Sequence, residues 1–110
     1  MPLFKTLEVG EISAGANKSV EWTPDTDIVI HKVMVVEKNN KPLSAVKAYL
    51  KFAGNVMTED FVPASVFGQD PEYCYKPEYE VGKGTKIYAK FTNEGTEAVT
   101  LYLVFEFDRK

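Results

Sequence analysis

The sequence predicts an all-β protein, a single antiparallel β-sandwich of about six to eight strands with jelly-roll or Greek-key topology that spans residues 1–110. Three observations support this fold class. Apolar and polar residues alternate along several segments, which is the pattern of a strand with one buried face. Turn residues separate these segments at spacings of about 10 residues. No segment shows the apolar spacing of a helix.

Four strands are predicted in the first half of the chain, each followed by residues typical of turns. They are Leu3–Val9, Lys18–Trp22, Ile28–Glu37 and Val46–Phe52. The first is expected to end at Gly10. In the fourth, the even-numbered apolar residues are expected to face the core, and Tyr49 faces outward between two lysines.

The third predicted strand is apolar on both faces. Regular alternation places Ile28, Ile30, Met34 and Val36 on one side and Val29, His31, Val33 and Val35 on the other. A strand with two apolar faces is expected to be covered on both sides or to lie partly in an interface.

Alternation fades between residues 56 and 83, where three prolines and several acids interrupt it. Short strands are predicted at Val56–Thr58, Val62–Phe67 and Tyr79–Val81. An irregular stretch of this length in a compact domain is either functional or packs as an elaborate connection.

The last two strands show the clearest alternation, over residues 85–92 and 98–107. In both, the odd-numbered residues are almost all apolar, which marks them as the buried faces. The sequence Asn-Glu-Gly-Thr at 93–96 is typical of a turn, so we predict that the two strands form a β-hairpin.

The register of this predicted hairpin follows from parity. Because both buried faces carry odd numbers, the loop must have an odd number of residues, either three (Glu94–Thr96) or five. The shorter loop would place Phe91 opposite Val99 and Tyr88 opposite Tyr102, with the two tyrosines forming an aromatic platform on the outer face.

Composition narrows the class of protein. The net charge is −3 and Arg109 is the only arginine, so the concentrated basic surface of a nucleic-acid-binding protein is not expected. The N-terminus resembles neither a signal peptide nor a membrane span, so we expect no membrane partner and synthesis in the cytoplasm. Cys74 is the only cysteine, and the excess of lysine and glutamate favours a thermophilic source.

Metal, cofactor and catalytic chemistry find little support in the sequence. His31 is the only histidine, so neither a zinc site nor a histidine-activated nucleophile is predicted, and His31 is interpreted as a half-buried strand residue. We predict no cofactor, no metal and no catalytic residues. Acids in three loops leave calcium binding open; they are Asp25, Asp27, Glu59, Asp60, Asp70 and Glu72.

Aromatic residues are the remaining functional indication. Tyr49, Tyr88 and Tyr102 are predicted to face outward on strands, whereas Trp22, Tyr73 and Tyr75 fall in loops or near strand ends. Exposed aromatics are typical of protein interfaces, and also of surfaces that hold sugar rings. These residues are therefore the candidate interface or ligand-binding residues.

The sequence thus predicts a non-enzymatic, self-associating structural protein, such as a virion capsid, appendage or decoration subunit incorporated into virions. Its expected partners are further copies of itself, other structural proteins or glycans. A carbohydrate-binding module that uses the loop aromatics is the alternative. A small hydrolase or isomerase with carboxylates at the mouth of the sandwich is a third hypothesis.

Overall fold

A computed structural model describes residues 3–52, 55–56, 62–68 and 72–110. Within these residues the chain forms nine strands and one turn of 3-10 helix. In chain order these are β1 (Leu3–Ile12), β2 (Asn17–Trp22), β3 (Ile28–Glu37), β4 (Val46–Phe52), β5 (Asn55–Val56), β6 (Val62–Pro63), the 3-10 turn (Ala64–Phe67), β7 (Tyr79–Val81), β8 (Ile87–Asn93) and β9 (Val99–Arg109).

The strands form two antiparallel sheets that pack face to face. One sheet has the order β1-β9-β3-β7, and the other has the order β2-β8-β4 with β5 and β6 both paired to the free edge of β4. Because β5 and β6 share one edge, the described residues give the sandwich eight strand positions. Apart from β5 and β6, which stay beside β4, each strand lies in the opposite sheet from the strand before it, which is jelly-roll topology. The predicted antiparallel sandwich and its strand number are confirmed.

The core lies between the two sheets and is filled by the inward-facing residues of the long strands. Its largest fully buried side chains include Phe52, Phe91 and Phe105, which are at most 1 % exposed. The predicted inward faces of β4, β8 and β9 are confirmed, because their burial alternates residue by residue.

The predicted hairpin between β8 and β9 is wrong. β8 pairs with β2 and β4, whereas β9 pairs with β1 and β3 in the other sheet. Tyr88 and Tyr102 therefore do not oppose each other, and neither do Phe91 and Val99. Alternation reports that a strand has one buried face, but it does not report the neighbouring strand. Both odd-numbered faces line the same core from opposite sheets.

Asn93 holds the chain where it crosses from one sheet to the other. Its side chain is 1 % exposed, and its Nδ2 donates hydrogen bonds to the carbonyl oxygens of Ile12 (3.0 Å) and Glu97 (2.7 Å). Its Oδ1 accepts a hydrogen bond from the Gly95 N–H at 2.9 Å. The residue predicted to start a hairpin turn instead fixes a bridge between sheets.

The predicted faces of β3 are correct only in its first half. A β-bulge between Ile30 and Lys32 makes His31 an extra residue, so the alternation changes phase there. The core receives Ile28 and Ile30 before the bulge and Val33 and Val35 after it, and Met34 and Val36 turn to the outer side.

A second bulge corrects the predicted end of β1. The register shifts between Glu8 and Gly10, and Gly10 has a φ of +84°, a backbone conformation that glycine adopts without strain. The strand consequently continues past Gly10 and buries Ile12 in the core.

The segment after β4 is shorter in strand than predicted. The predicted strand Val62–Phe67 is β6 for two residues and then a 3-10 turn, in which Phe67 is buried. The predicted strand Val56–Thr58 overlaps β5 at Val56, and its other residues lie outside those described. Tyr79–Val81 is confirmed as β7.

Candidate functional site

The outer surface of the β2-β8-β4 sheet carries lysines and tyrosines, and we call it the lysine–tyrosine face. Cross-strand pairing sets Tyr88 between Glu21 and Lys51, and Lys90 between Ser19 and Tyr49. The residues that give the face its character are Lys47, Tyr49, Lys51, Lys86, Tyr88 and Lys90.

Tyr49 and Tyr88 form an aromatic pair at the centre of the lysine–tyrosine face. Their ring centroids are 6.3 Å apart and the rings meet edge to face at 67°, within the favourable range for aromatic pairs. Both side chains are half-buried. Together with Glu21, Lys51 and Lys86 they line an open depression of about 470 Å³.

Two lysines of this face have carboxylate partners and two do not. Lys86 lies 3.5 Å from Glu21, and the Lys47 Nζ lies 3.1 Å from Glu94. Within the described part of the chain, Lys51 and Lys90 form no ion pair. The face is therefore positively charged, although the whole chain carries a net charge of −3.

The outer surface of the β1-β9-β3-β7 sheet has the opposite sign, and we call it the acidic face. Its rows are set by register: Phe4 beside Glu106, Thr6 beside Val104, and Glu8 beside Tyr102. The residues that give it its character are Phe4, Glu8, Glu11, Val36, Tyr102, Val104 and Glu106. Phe4 is 59 % exposed, a large apolar surface for a solvent-facing side chain.

The charge of the acidic face is only partly balanced. Glu106 lies 3.6 Å from the Lys32 Nζ. Glu8 and Glu11 are exposed, and neither forms an ion pair with any residue that the structure describes.

His31 holds two carboxylates at the far edge of the acidic face. Its Nδ1 lies 2.6 Å from the Oε2 of Glu78, and its Nε2 lies 2.9 Å from the Oδ2 of Asp108. The hydrogen bond to Glu78, followed by that to Asp108, raises the pKa of His31 above its ordinary value of 6.5, against a smaller opposing effect of burial. With both ring nitrogens protonated, the imidazolium donates to both acids.

The interpretation of His31 as a half-buried strand residue is correct, but its partners were not predicted. They lie 47 and 77 residues away in sequence, and Glu78 comes from the stretch where alternation fades. The two carboxylates bind opposite nitrogens of the ring, so they do not converge on one point. Among the described residues, no group of three potential ligands could hold a metal ion.

The loop aromatics do not form a common surface. Trp22 packs against Phe105 and Phe107 at centroid distances of 5.5 and 5.2 Å. Tyr75 packs against Phe67 at 5.7 Å, and burial raises its pKa. Tyr73 is 74 % exposed. No ring contact joins any two of the three predicted residues in the part of the chain that the structure describes.

The predicted platform of Tyr88 and Tyr102 does not form. Tyr102 lies on the acidic face and Tyr88 on the lysine–tyrosine face, so the two point away from opposite sides of the sandwich. The partner of Tyr88 is Tyr49, which was also predicted to face outward. Tyr49, Tyr88 and Tyr102 all lie on outer faces, as expected from alternation.

The loop acids considered for calcium are only partly described. The Asp27 Oδ1 accepts a hydrogen bond from the Lys83 N–H at 2.7 Å, which closes the neighbouring loop. Glu59, Asp60 and Asp70 lie outside the described residues.

Within the described residues, no helix is long and apolar enough to cross a membrane.

The chain is similar in structure to solved proteins, and the one described here has low sequence identity to it. No protein-family model and no curated protein matches the chain. The crystal structure of the Drosophila NLP core, reported with insight into pentamer formation and histone binding by that protein, is similar with a TM-score of 0.45 and 11 % identity. The match covers 96 % of this chain and 98 % of that one.

Proposed function

We propose that this protein is a non-enzymatic structural protein that associates with copies of itself. The observation that carries the proposal is the aromatic and apolar character of both outer sheet faces, above all Phe4 at 59 % exposure. The sandwich core is already filled by the inward faces, so Phe4, Tyr49, Tyr88 and Tyr102 are not needed to build it. Aromatic side chains on outer faces are enriched in protein interfaces.

The context that we propose is a virion capsid, appendage or decoration subunit. Jelly rolls recur in viral shells, and this support is an analogy at the level of the fold. The non-enzymatic part of the proposal is supported by the only histidine, His31, whose two ring nitrogens are occupied by Glu78 and Asp108 and so are not aimed at a nucleophile.

The test is the native mass in solution, measured by light scattering over a concentration series. A mass that is a defined multiple of the 12.4 kDa chain supports the proposal. A mass that stays at that of the single chain, up to concentrations of hundreds of micromolar, contradicts it.

The depression around Tyr49 and Tyr88 favours a second candidate function, carbohydrate binding. Aromatic rings beside charged side chains can stack on a sugar and donate hydrogen bonds to its hydroxyl groups. The site would be the sheet face, because the loop aromatics named by the sequence are not brought together. A glycan array tests this candidate, with Tyr88→Ala as the control variant. Binding of a glycan by the monomeric protein, together with loss of that binding in the variant, would favour carbohydrate binding.

A further inference from the structure

We propose that the acidic face of one copy docks on the lysine–tyrosine face of the next, so that the protein assembles head to tail through its two sheets. This proposal rests on the proposed self-association and states which surfaces meet. It commits both faces to the same occupant, a second copy of this chain.

Charge complementarity is the first argument. The acidic face presents the exposed Glu8 and Glu11, and the lysine–tyrosine face presents Lys51 and Lys90; in the described part of the chain none of the four has an ion-pair partner. Contact of a face with its own copy would bring like charges together. Contact between the two different faces brings opposite charges together, which selects the head-to-tail arrangement.

Apolar complementarity is the second argument. The acidic face offers Phe4, Tyr102 and Val104 in adjacent rows, and the other face offers the Tyr49–Tyr88 pair over an open depression. An aromatic side chain entering such a depression, with charges around it, is the usual anatomy of an interface: an aromatic centre and a polar rim.

The size of the faces is the third argument. Neighbouring strands lie about 4.8 Å apart, and each strand rises about 3.3 Å per residue. These dimensions give each face a projected area of roughly 500–700 Å². This is of the order of the roughly 800 Å² of surface that each partner buries in a stable protein–protein interface.

The geometry of the assembly follows from the position of the faces. They lie on opposite sides of one sandwich, so a contact between them is heterologous and leaves one free face at each end. Repeating it produces a closed ring or an open filament. Both are arrangements expected of a structural subunit.

The experiment reverses the charge of each face and then of both. Glu8→Lys with Glu11→Lys makes both faces basic, and Lys51→Glu with Lys90→Glu makes both acidic. Each double variant should shift from the mass of the oligomer to that of the single 12.4 kDa chain. The chain with all four changes should regain the oligomer. In an equimolar mixture the two double variants should associate with each other, although each is a single chain when alone.

Matched controls carry the same charge changes on loops. Asp25→Lys with Glu97→Lys repeats the first change in charge, and Lys38→Glu with Lys83→Glu repeats the second; all four residues are exposed in loops between strands. The controls should keep the mass of the unmodified oligomer. Circular dichroism of every variant checks that the strand content is unchanged.

The outcomes separate the inference from the proposed function. If the unmodified protein associates and the face variants keep its mass, the face-to-face contact is wrong and self-association stands. If only one double variant dissociates and the four-fold variant does not recover, the contact joins identical faces and the head-to-tail arrangement is wrong. If the unmodified protein is a monomer, the proposed function itself fails.

Discussion

At the scale of single residues, the fold depends on polar side chains in which each nitrogen and oxygen has a hydrogen-bond partner. His31, Glu37 and Asn93 each tie a strand to segments far away in sequence, and each carries a different consequence for stability. Three predictions follow from their chemistry.

The stability that His31 contributes should decrease as the pH rises. The pKa of His31 in the folded protein is raised above 6.5, so its contribution is fully present below 6.5 and is lost as the pH rises through the folded value. Because His31 is the only histidine, its ring protons can be titrated by NMR without ambiguity. We expect a midpoint above 6.5, and urea unfolding that shows a decrease in stability over the same range.

His31→Gln is the control for this effect. Glutamine removes the titration, so the decrease in stability as the pH rises above 6.5 should be smaller in the variant than in the unmodified protein. Equal slopes for the two proteins, or an NMR midpoint at or below 6.5, would contradict the paired imidazolium.

Glu37 should make the protein sensitive to acid. Its carboxylate is 3 % exposed and accepts hydrogen bonds from the N–H groups of Asn39, Lys41 and Thr100 at 2.6–2.9 Å. Burial alone would raise its pKa, but these N–H donors, with the charge of Lys41, hold the pKa below the ordinary value of 4.5.

The variant Glu37→Gln tests the role of this carboxylate. The contribution of Glu37 is present above pH 4.5 and is lost as the pH falls through the lower pKa of the folded state. We expect the variant to be less stable by about 1–3 kcal/mol near neutral pH. This difference should shrink as the pH falls below 4.5. A difference that is constant with pH would show that the charge of Glu37 has no role.

Asn93→Ala should cost about 1–3 kcal/mol, because it leaves the buried carbonyl oxygen of Ile12 and the other partners of the amide without hydrogen bonds. Asn39→Ala, in an exposed turn, should change stability by no more than about 0.5 kcal/mol. Urea unfolding measures both. Similar costs for the two substitutions would mean that Asn93 does not hold the crossing between the sheets.

At the scale of the strands, alternation assigns the two faces of β9 without knowledge of its partners. Phe105→Ala should cost roughly 3–5 kcal/mol, because it opens a cavity in the core. Glu106→Ala, one residue along and facing outward, should cost no more than about 1 kcal/mol, since it opens no cavity in the core and removes a 3.6 Å ion pair with Lys32. Equal costs in thermal or urea unfolding would mean that the faces are reversed.

The strands themselves could be predicted from the sequence, but their neighbours could not. β3, β4 and β7 have the predicted bounds, because apolar alternation and turn residues are local properties. Pairing depends on contacts between distant segments, so the pattern of β8 and β9 fits both a hairpin and two strands in facing sheets. The bulge at His31 had one local indication: His31 and Lys32 are adjacent polar residues that interrupt the alternation of β3.

The candidate site was predictable to the same extent. The outward orientation of Tyr49, Tyr88 and Tyr102 follows from alternation alone. The pairing of Tyr88 with Tyr49 depends on β8 lying beside β4, which no local property reports. The contact of Tyr75 with Phe67 could not be predicted either, because both residues lie in a segment without periodicity.

At the scale of the whole molecule, the jelly-roll topology gives each outer face to a different set of strands. The lysine–tyrosine face and the acidic face share no strand, yet both sheets cover one core. Substitutions on one face can therefore change association without touching the other face or the core. Unfolding of the core, in contrast, must remove both faces together.

Association should accordingly raise the apparent stability of the fold. A partner that binds only the folded state stabilises it by mass action, so the melting temperature of the unmodified protein should rise with protein concentration. With Glu8→Lys and Glu11→Lys on the acidic face, the concentration dependence should disappear, and the melting temperature at low concentration should equal that of the unmodified protein. High salt should weaken the dependence in the unmodified protein, because it screens exposed charges. Differential scanning calorimetry over a hundred-fold range of concentration would measure this. A melting temperature that does not depend on concentration would show that folding and association are not linked.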